Sequence, residues 1–476
     1  MSIPKQTASP PHPPHGATRR PRALPTLTAL AASLAAVCGV PRLPAQATPQ
    51  PRPTVSLTLP KALDLAMAHN RRLQLASLAT ADAEQKRLIA RSDYFPHIKN
   101  ESAALHLTAL EGIVIPAGAF ARDSSTGPIP SQTLRIGQGA ADSFTSGTGL
   151  IQPITQLLKV HAGVRAATAD VNIAKLDASD AQDSISLLVH KLYFDILTRQ
   201  AQLAAAQQSI LAGQVSEQES TQAVAEGRSL EVAQLEAHAA LLEQKQASLT
   251  DQLTLDDLSM QFDDVLGLPL GTRLALDPDA LGETPVLPSP DEAITQLQQA
   301  NPRILAARQT VEKARAALSA ARDAYIPNIS GLARYSYQSG VPFLVHNFGT
   351  FGGAVSYDLF DGGAREAKLQ QAKIELHIAE LQLAQTEADL SIQVSAVYDD
   401  IQKLQQLIAV ASESLVVRKE AARLSQERMR QNAALASEVA KAESNVAAAT
   451  TSVLDARLNL LLLENQVRQL LGQRPH

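Results

Sequence analysis

The sequence predicts a mainly α-helical protein with a small β part, built as two copies of one unit. Three observations predict it. Residues 62–98 align without a gap on residues 293–329, so that Ala62, Asn70, Arg72, Tyr94 and Pro96 meet Ala293, Asn301, Arg303, Tyr325 and Pro327. A second ungapped block sets 193–267 on 398–472, where Tyr193, Ile196, Leu230, Gln261 and Gly267 meet Tyr398, Ile401, Leu435, Gln466 and Gly472. Helical stretches therefore keep their length between copies, and the extra residues of the first copy fall between the blocks, in non-helical sequence. Composition is the second observation: aromatics are 3% of 476 residues and Trp is absent. Few side chains are large enough to fill a thick globular core, while Ala, Leu, Gln, Glu and Lys suit long helices. Third, segments rich in Gly, Ser and Thr, with short alternations, recur at equivalent points of both copies and read as strands.

Residues 1–47 read as an export signal. Arg19, Arg20 and Arg22 precede an apolar run from Ala23 to Val40, and Ala45-Gln46-Ala47 supplies a small-x-small cleavage site. Pro21 argues against a twin-arginine signal. Cys38 is either lipidated, although Val37 stands where a small residue is wanted, or removed with the signal. As the single cysteine it excludes an internal disulfide. No later run is expected to reach the ~18–20 apolar residues of a membrane-spanning helix.

The first repeat occupies 48–267, a linker 268–290 and the second repeat 291–472. In the first, Pro60 suits a helix start, a kink is expected near Asn70, and Tyr94-Phe95-Pro96 ends the helix that runs to about Arg91. His97 to Leu107 and Ala141 to Ile151 read as strands, with Gly112 to Gly139 an exposed loop between them. Helical periodicity returns from Thr155 to about Ala225, breaks at Glu226-Gly227-Arg228-Ser229, and resumes to Leu266. The linker is rich in Pro, Gly and Asp, and Ser289-Pro290-Asp291-Glu292 starts the next helix with a cap, a proline and two acids. The second repeat follows the same plan. A helix kinked at Pro302 runs to about Ala324, strands span Asn328–Tyr337 and Phe351–Leu359, and a turn falls at Asp361-Gly362-Gly363. A long helix then reaches Arg430, a break falls at Asn432-Ala433, and a final helix ends near Leu471.

Length decides the architecture. A helix of roughly 70 residues is about 105 Å long, and the two shorter helices of each repeat, stacked end to end, nearly match it. Ala-rich faces such as Ala204–Ala206 and Ala447–Ala449 favour close antiparallel packing. Four strands cannot close a barrel, and open edges are not tolerated in lipid. Three chains would supply a 12-stranded β-barrel continuous with a helical tube, an α-barrel, so the repeat predicts a homotrimer.

Asn301-Pro302, its counterpart Asn70-Arg71, the closing Tyr-x-Pro of each copy, and Tyr357-Asp358-Leu359-Phe360-Asp361-Gly362-Gly363 carry a resemblance. Together they resemble the TolC-like outer-membrane efflux protein family over about residues 55–472. Tyr357 stands where the family commonly has Trp, and Gln152-Pro153-Ile154 is the weaker counterpart in the first copy. The resemblance implies a homotrimeric channel in outer-membrane lipid that docks a periplasmic adaptor protein and an inner-membrane pump. It would be the passive exit duct of an efflux or secretion system. The adaptor-docking tips carry over to Gly227, Arg228, Ser229 and Leu230 and to Asn432, Ala433, Ala434 and Leu435. The pore constriction carries over to Glu438 and Lys441, with a base where one acid is expected; as i and i+3 on one helix face they could pair.

Other functions are disfavoured. A net charge of −5 gives no nucleic-acid footprint. The absence of a Gly-Lys dipeptide excludes a phosphate loop, and Asp358-x-x-Asp361-Gly362 lacks the ligand series of a calcium loop. Asp361 is expected to cap the helix that follows. No catalytic constellation, metal site or cofactor is expected. A periplasmic coiled-coil scaffold or adaptor outside the membrane would share the signal and helices but leaves the four strand-length segments unexplained.

Overall fold

The computed structural model describes residues 54–108, 112–137, 141–277, 286–340 and 345–473. The signal at 1–47 with Cys38 lies outside the described residues, as does part of the linker.

Strand β1 (Thr54–Leu57) leads into α1 (Leu59–His69), α2 (Arg71–Ser92) and β2 (His97–His106). A small hairpin, β3 (Gly112–Ile115) and β4 (Leu134–Gly137), precedes β5 (Asp142–Pro153), the long α3 (Leu157–Ala225) and α4 (Glu231–Leu266). After β6 (Arg273–Leu276) the second repeat follows: α5 (Pro290–Ala300), α6 (Pro302–Asp323), β7 (Asn328–Ser339), β8 (Asn347–Ser356), α7 (Ala364–Arg430) and α8 (Ala436–Leu470). The strand-to-strand connection is 107–141 in the first repeat and only 340–346 in the second, which is where the lengths of the copies diverge.

Long helices pack as a row. α3 lies between α2 and α4 on one side and α6 and α8 on the other, and α7 closes the far side of α6 and α8. The stacking of α2 on α4, and of α6 on α8, has one cause in both repeats. Asn70 Oδ1 accepts from the backbone N–H of Arg72 at the start of α2 (2.9 Å), while its Nδ2 donates to the Val265 carbonyl at the end of α4 (3.0 Å). Asn301 does the same, accepting from Arg303 and Ile304 (2.9 and 3.3 Å) and donating to the Leu470 carbonyl (2.9 Å). One side chain thus satisfies orphan groups at two helix termini, splicing them head to tail. Gly267 ends α4 in the left-handed region (φ 71°), and a Cβ there would sit 2.7 Å from Cβ of His69. The joint needs glycine for conformation and for closeness.

The anticipated kinks at Asn70 and Pro302 are therefore complete breaks, and only α2 and α6 continue the rods. α1 turns aside, burying Leu59, Ala62 and Ala66 against Tyr193, Ile196, Phe262 and Leu266. α5 buries Ala293 and Leu297 against Val394, Val397 and Val467. The start of α5 is a complete capping box, with the Glu292 backbone N–H donating to Ser289 Oγ and the Ser289 N–H donating to Glu292 Oε2.

The linker holds an element not expected from sequence. β6 pairs in parallel with β1, Thr54 to Arg273 through Leu57 to Leu276. Tyr193 of α3 pins both: its hydroxyl lies 3.1 Å from the Leu57 carbonyl, 2.9 Å from the Asp277 carbonyl, and accepts from the Asp277 N–H. Asp263 shapes the preceding turn by accepting from the N–H groups of Gly271 (2.8 Å) and Thr272 (3.1 Å). Burial raises its pKa above the ordinary carboxylate value, and those two bonds partly offset the rise.

Helix α8 corrects another expectation, because it contains an 18-residue window of mean hydropathy 1.4, apolar enough by length and composition to cross a membrane. Its place in the row accounts for that character. A helix packed between α3 and α7 needs small apolar residues on two faces.

The four long strands form one antiparallel sheet in the order β2-β5-β7-β8. The fourth strand runs over Asn347–Ser356 rather than Phe351–Leu359, so Tyr357 and Leu359 lie beyond the sheet. Tyr357 instead stacks with Arg365, whose guanidinium centre is 4.7 Å from the ring and whose Nη1 donates to the phenol oxygen (2.7 Å). Asp361 accepts from the N–H groups of Gly363 and Arg365 and so caps α7, as expected. The elbows of the two repeats match: Tyr94 meets His161 (3.2 Å) where Tyr325 donates to Glu366 (2.7 Å). Within the segment read as an exposed loop, β3 and β4 pair from Gly112–Gly137 to Ile115–Leu134.

Candidate gate and docking tips

The turns joining α3 to α4 and α7 to α8 are built alike. Gly227 and Asn432 hold the left-handed conformation, at φ 71° and 57°. One residue on, the Arg228 N–H donates to the Ala223 carbonyl and the Ala433 N–H to the Arg428 carbonyl, both at 2.8 Å. These are helix C-caps, for which glycine and asparagine are the favoured residues. The next helices then start on leucine. Leu230 is the N-cap of α4 and Leu435 that of α8, and neither side chain caps. Ser, Thr, Asp or Asn would stabilise either start by about 1 kcal/mol. Both leucines project instead, 78% and 60% exposed. Gly227, Arg228, Asn432 and Ala433 are exposed beside them, while Ser229 and Ala434 are half-buried.

Glu438 lies in the first turn of α8, where a carboxylate faces the positive end of the helix dipole. Both Glu438 and Lys441 are exposed and line a groove of about 300 Å³ between α3, α4 and α8, with Ser209, Ser216 and Gln244. The anticipated pairing of Glu438 with Lys441 does not occur among the described residues. Glu438 Oε2 lies 3.9 Å from Nη1 of Arg428, across the turn. Arg428 also donates to the Ala433 carbonyl (3.0 Å), so one guanidinium ties the end of α7 to the tip and to α8. Sequence reasoning missed it, although its position in the turn, opposite Ala223 of the first repeat, marked a difference between copies. Glu219 of α3 was missed too: its Oε1 accepts from the Ser437 N–H (3.2 Å), satisfying a donor that Leu435 cannot. Exposed ion pairs of this kind contribute little stability. They set where charge stands rather than how firmly the tip folds. Among the described residues no group of His, Cys, Asp and Glu is arranged to hold a metal ion.

Residues 293–473 match the family described as outer membrane efflux protein. No curated protein sequence matches the chain significantly. Similar solved structures include CusC, described as forming a transmembrane channel, at TM-score 0.68 and 18% identity over 87% of this chain and 92% of that one. The outer membrane protein VceC of Vibrio cholerae matches at TM-score 0.68 and 17% identity, covering 87% of this chain and 96% of that one. The outer membrane channel MtrE of Neisseria gonorrhoeae, in its open state, matches at 0.69 and 18%, covering 87% and 89%. At such identities the likeness is one of fold, and it spans both repeats. The second repeat thus matches that family in sequence, and both repeats share the fold of these solved structures.

Proposed function

We propose that the chain is one subunit of a homotrimeric outer-membrane channel whose helical tube extends into the periplasm. It acts as the passive exit duct of a tripartite efflux or secretion system, docking a periplasmic adaptor and an inner-membrane pump. One observation carries this reading: the subunit is unfinished on the same two sides at both levels. The sheet ends in the unpaired outer edges of β2 and β8. The helical row ends in apolar edges, with Leu235, Leu242 and Leu249 exposed on α4 and Val410, Val417 and Leu424 exposed on α7. Both sets repeat every seven residues, the spacing at which side chains of one helix seat between those of another. A second copy on each side completes sheet and row together, and three chains of four strands close a barrel. The projecting tip leucines support adaptor docking, since a surface leucine at an N-cap favours contact over helix stability. The groove around Glu438 and Lys441 stands near those tips and supports a constriction there.

Full-length protein is expected in the outer-membrane fraction, migrating unheated as a crosslinkable trimer that becomes monomer on boiling. A soluble monomer without heat-modifiable migration would defeat the reading. In single-channel recordings, Glu438→Ala and Lys441→Ala are expected to shift ion selectivity in opposite directions, towards anions and cations respectively. Unchanged selectivity in both would remove the pair from the pore.

A further inference from the structure

The strand register sorts the four-stranded sheet into two chemically different faces. Paired residues share a face, so Ile98, Phe144, Leu150, Tyr335, Phe351 and Val355 lie together. This face carries no Lys, Arg or Glu. On it the His106 ring meets the Asp142 carboxylate (2.7 Å), at the end of the strands away from the helices. Its polar side chains satisfy one another: Asn100 Nδ2 donates to Thr148 Oγ1 (2.9 Å), Ser102 Oγ donates to Asn100 Oδ1 (2.9 Å), and Ser102 and Ser146 hydroxyls lie 2.9 Å apart. Internal partners are what polar groups need in hydrocarbon.

The opposite face holds the charge. Lys99 Nζ lies 2.7 Å from Glu101 Oε1 on β2, and Nη1 of Arg334 on β7 lies 3.6 Å from Glu101 Oε2. To reach β2, the Arg334 side chain crosses β5 between them, and β5 presents glycine there. A Cβ on Gly147 would fall 2.5 Å from Nη2 of Arg334. The strand is cut away under the guanidinium, which lies along the sheet. One carboxylate thus stands between two cations, leaving an excess positive charge per subunit. In a barrel this face must look inward, because an Arg or Lys at the lipid midplane costs about 2–4 kcal/mol.

We propose that Lys99, Glu101 and Arg334 form a charged ring that makes the barrel lumen favour anions, so that organic anions are a preferred cargo class. The inference rests on the trimeric channel reading. Three copies place three excess positive charges around a twelve-stranded lumen, wider than the eight-stranded barrels that side chains fill. Rings of Lys and Arg favour anions in this way. The Debye length of about 10 Å at 0.1 M salt is comparable to the distance from wall to axis, so the ring acts on passing ions and weakens as salt rises.

The test is the reversal potential of full-length trimers in planar bilayers under a potassium chloride gradient. Arg334→Gln and Lys99→Gln are each expected to lower the anion-to-cation permeability ratio roughly twofold at 0.1 M salt, and Glu101→Gln to raise it by a similar factor. All three effects should shrink at 1 M salt. Lys99→Gln leaves the glycine seat of Arg334 untouched, so it tests charge even where Arg334→Gln fails to assemble. Conducting trimers whose ratio is unmoved by Lys99→Gln and Glu101→Gln would overturn the ring. A wild-type protein that forms no pores would instead overturn the channel reading beneath it.

Discussion

Asn301→Ala is expected to lower stability by about 2–4 kcal/mol, although it removes only a short polar side chain. Loss of a helix N-cap costs about 1 kcal/mol, and a buried carbonyl left without its donor adds about 1–3 kcal/mol. Asn301 fills both roles, for the amides of Arg303 and Ile304 and for the Leu470 carbonyl, at 3% exposure. The measurement is the denaturant midpoint of the detergent-solubilised protein, with amide exchange read at the end of α8 and the start of α6. Asn301→Asp should recover part of the loss, because it keeps the acceptor and loses the donor. A fall of less than 0.5 kcal/mol in Asn301→Ala would mean that packing, not the spliced termini, holds α6 on α8.

Tyr193→Ala is the second large effect, about 3–5 kcal/mol, the range for truncating a buried aromatic ring. The ring is fully buried and meets Phe194 and Phe262 edge-on, at centroid distances of 6.3 Å. Tyr193→Phe separates hydroxyl from ring and should cost about 1–3 kcal/mol, the penalty for buried polar groups left unpaired. Its counterpart Tyr398 is half-buried and donates to one carbonyl, that of Pro288 (2.8 Å), so Tyr398→Phe should cost less. Equal losses for the two phenylalanine variants would show that the β1–β6 pair adds nothing to the Tyr193 site.

The contrast between these two sites shows what the amino-acid sequence made legible. Helix ends were readable because they are local: Ser289, Asp361 and the Gly227 and Asn432 breaks each act within a few residues of themselves. Both asparagines stood out through the duplication, but their partners, Val265 and Leu470, lie at the far end of the repeat and leave no local trace. The parallel pair β1–β6 was invisible for the same reason, being four residues long and closed across most of a repeat. The fourth strand was placed late because Gly349, Gly352 and Gly353 weaken the signal of its true span, while Tyr357 and Leu359 alternate like a strand beyond it. At the two interhelical turns, sequence named the breaks but neither Arg428 nor Glu219. It could not choose the partner of Glu438, since helix spacing allows Lys441 whereas Arg428 arrives across the turn. Lys99 and Glu101 needed the register: nothing along the chain says that they stand opposite Arg334.

The two long helices have 69 and 67 residues and lie beside stacked partners of 22 and 36, and of 22 and 35. Such a row works as a gauge. Removing seven residues from α3 alone would draw its tip back about 10 Å and leave its neighbours standing proud. Only a deletion matched in every rod would keep the end flush, so the distance this subunit measures is fixed jointly by both repeats. The connections between paired strands, 107–141 and 340–346, lie outside the rods' own lengths, and there the two copies differ most.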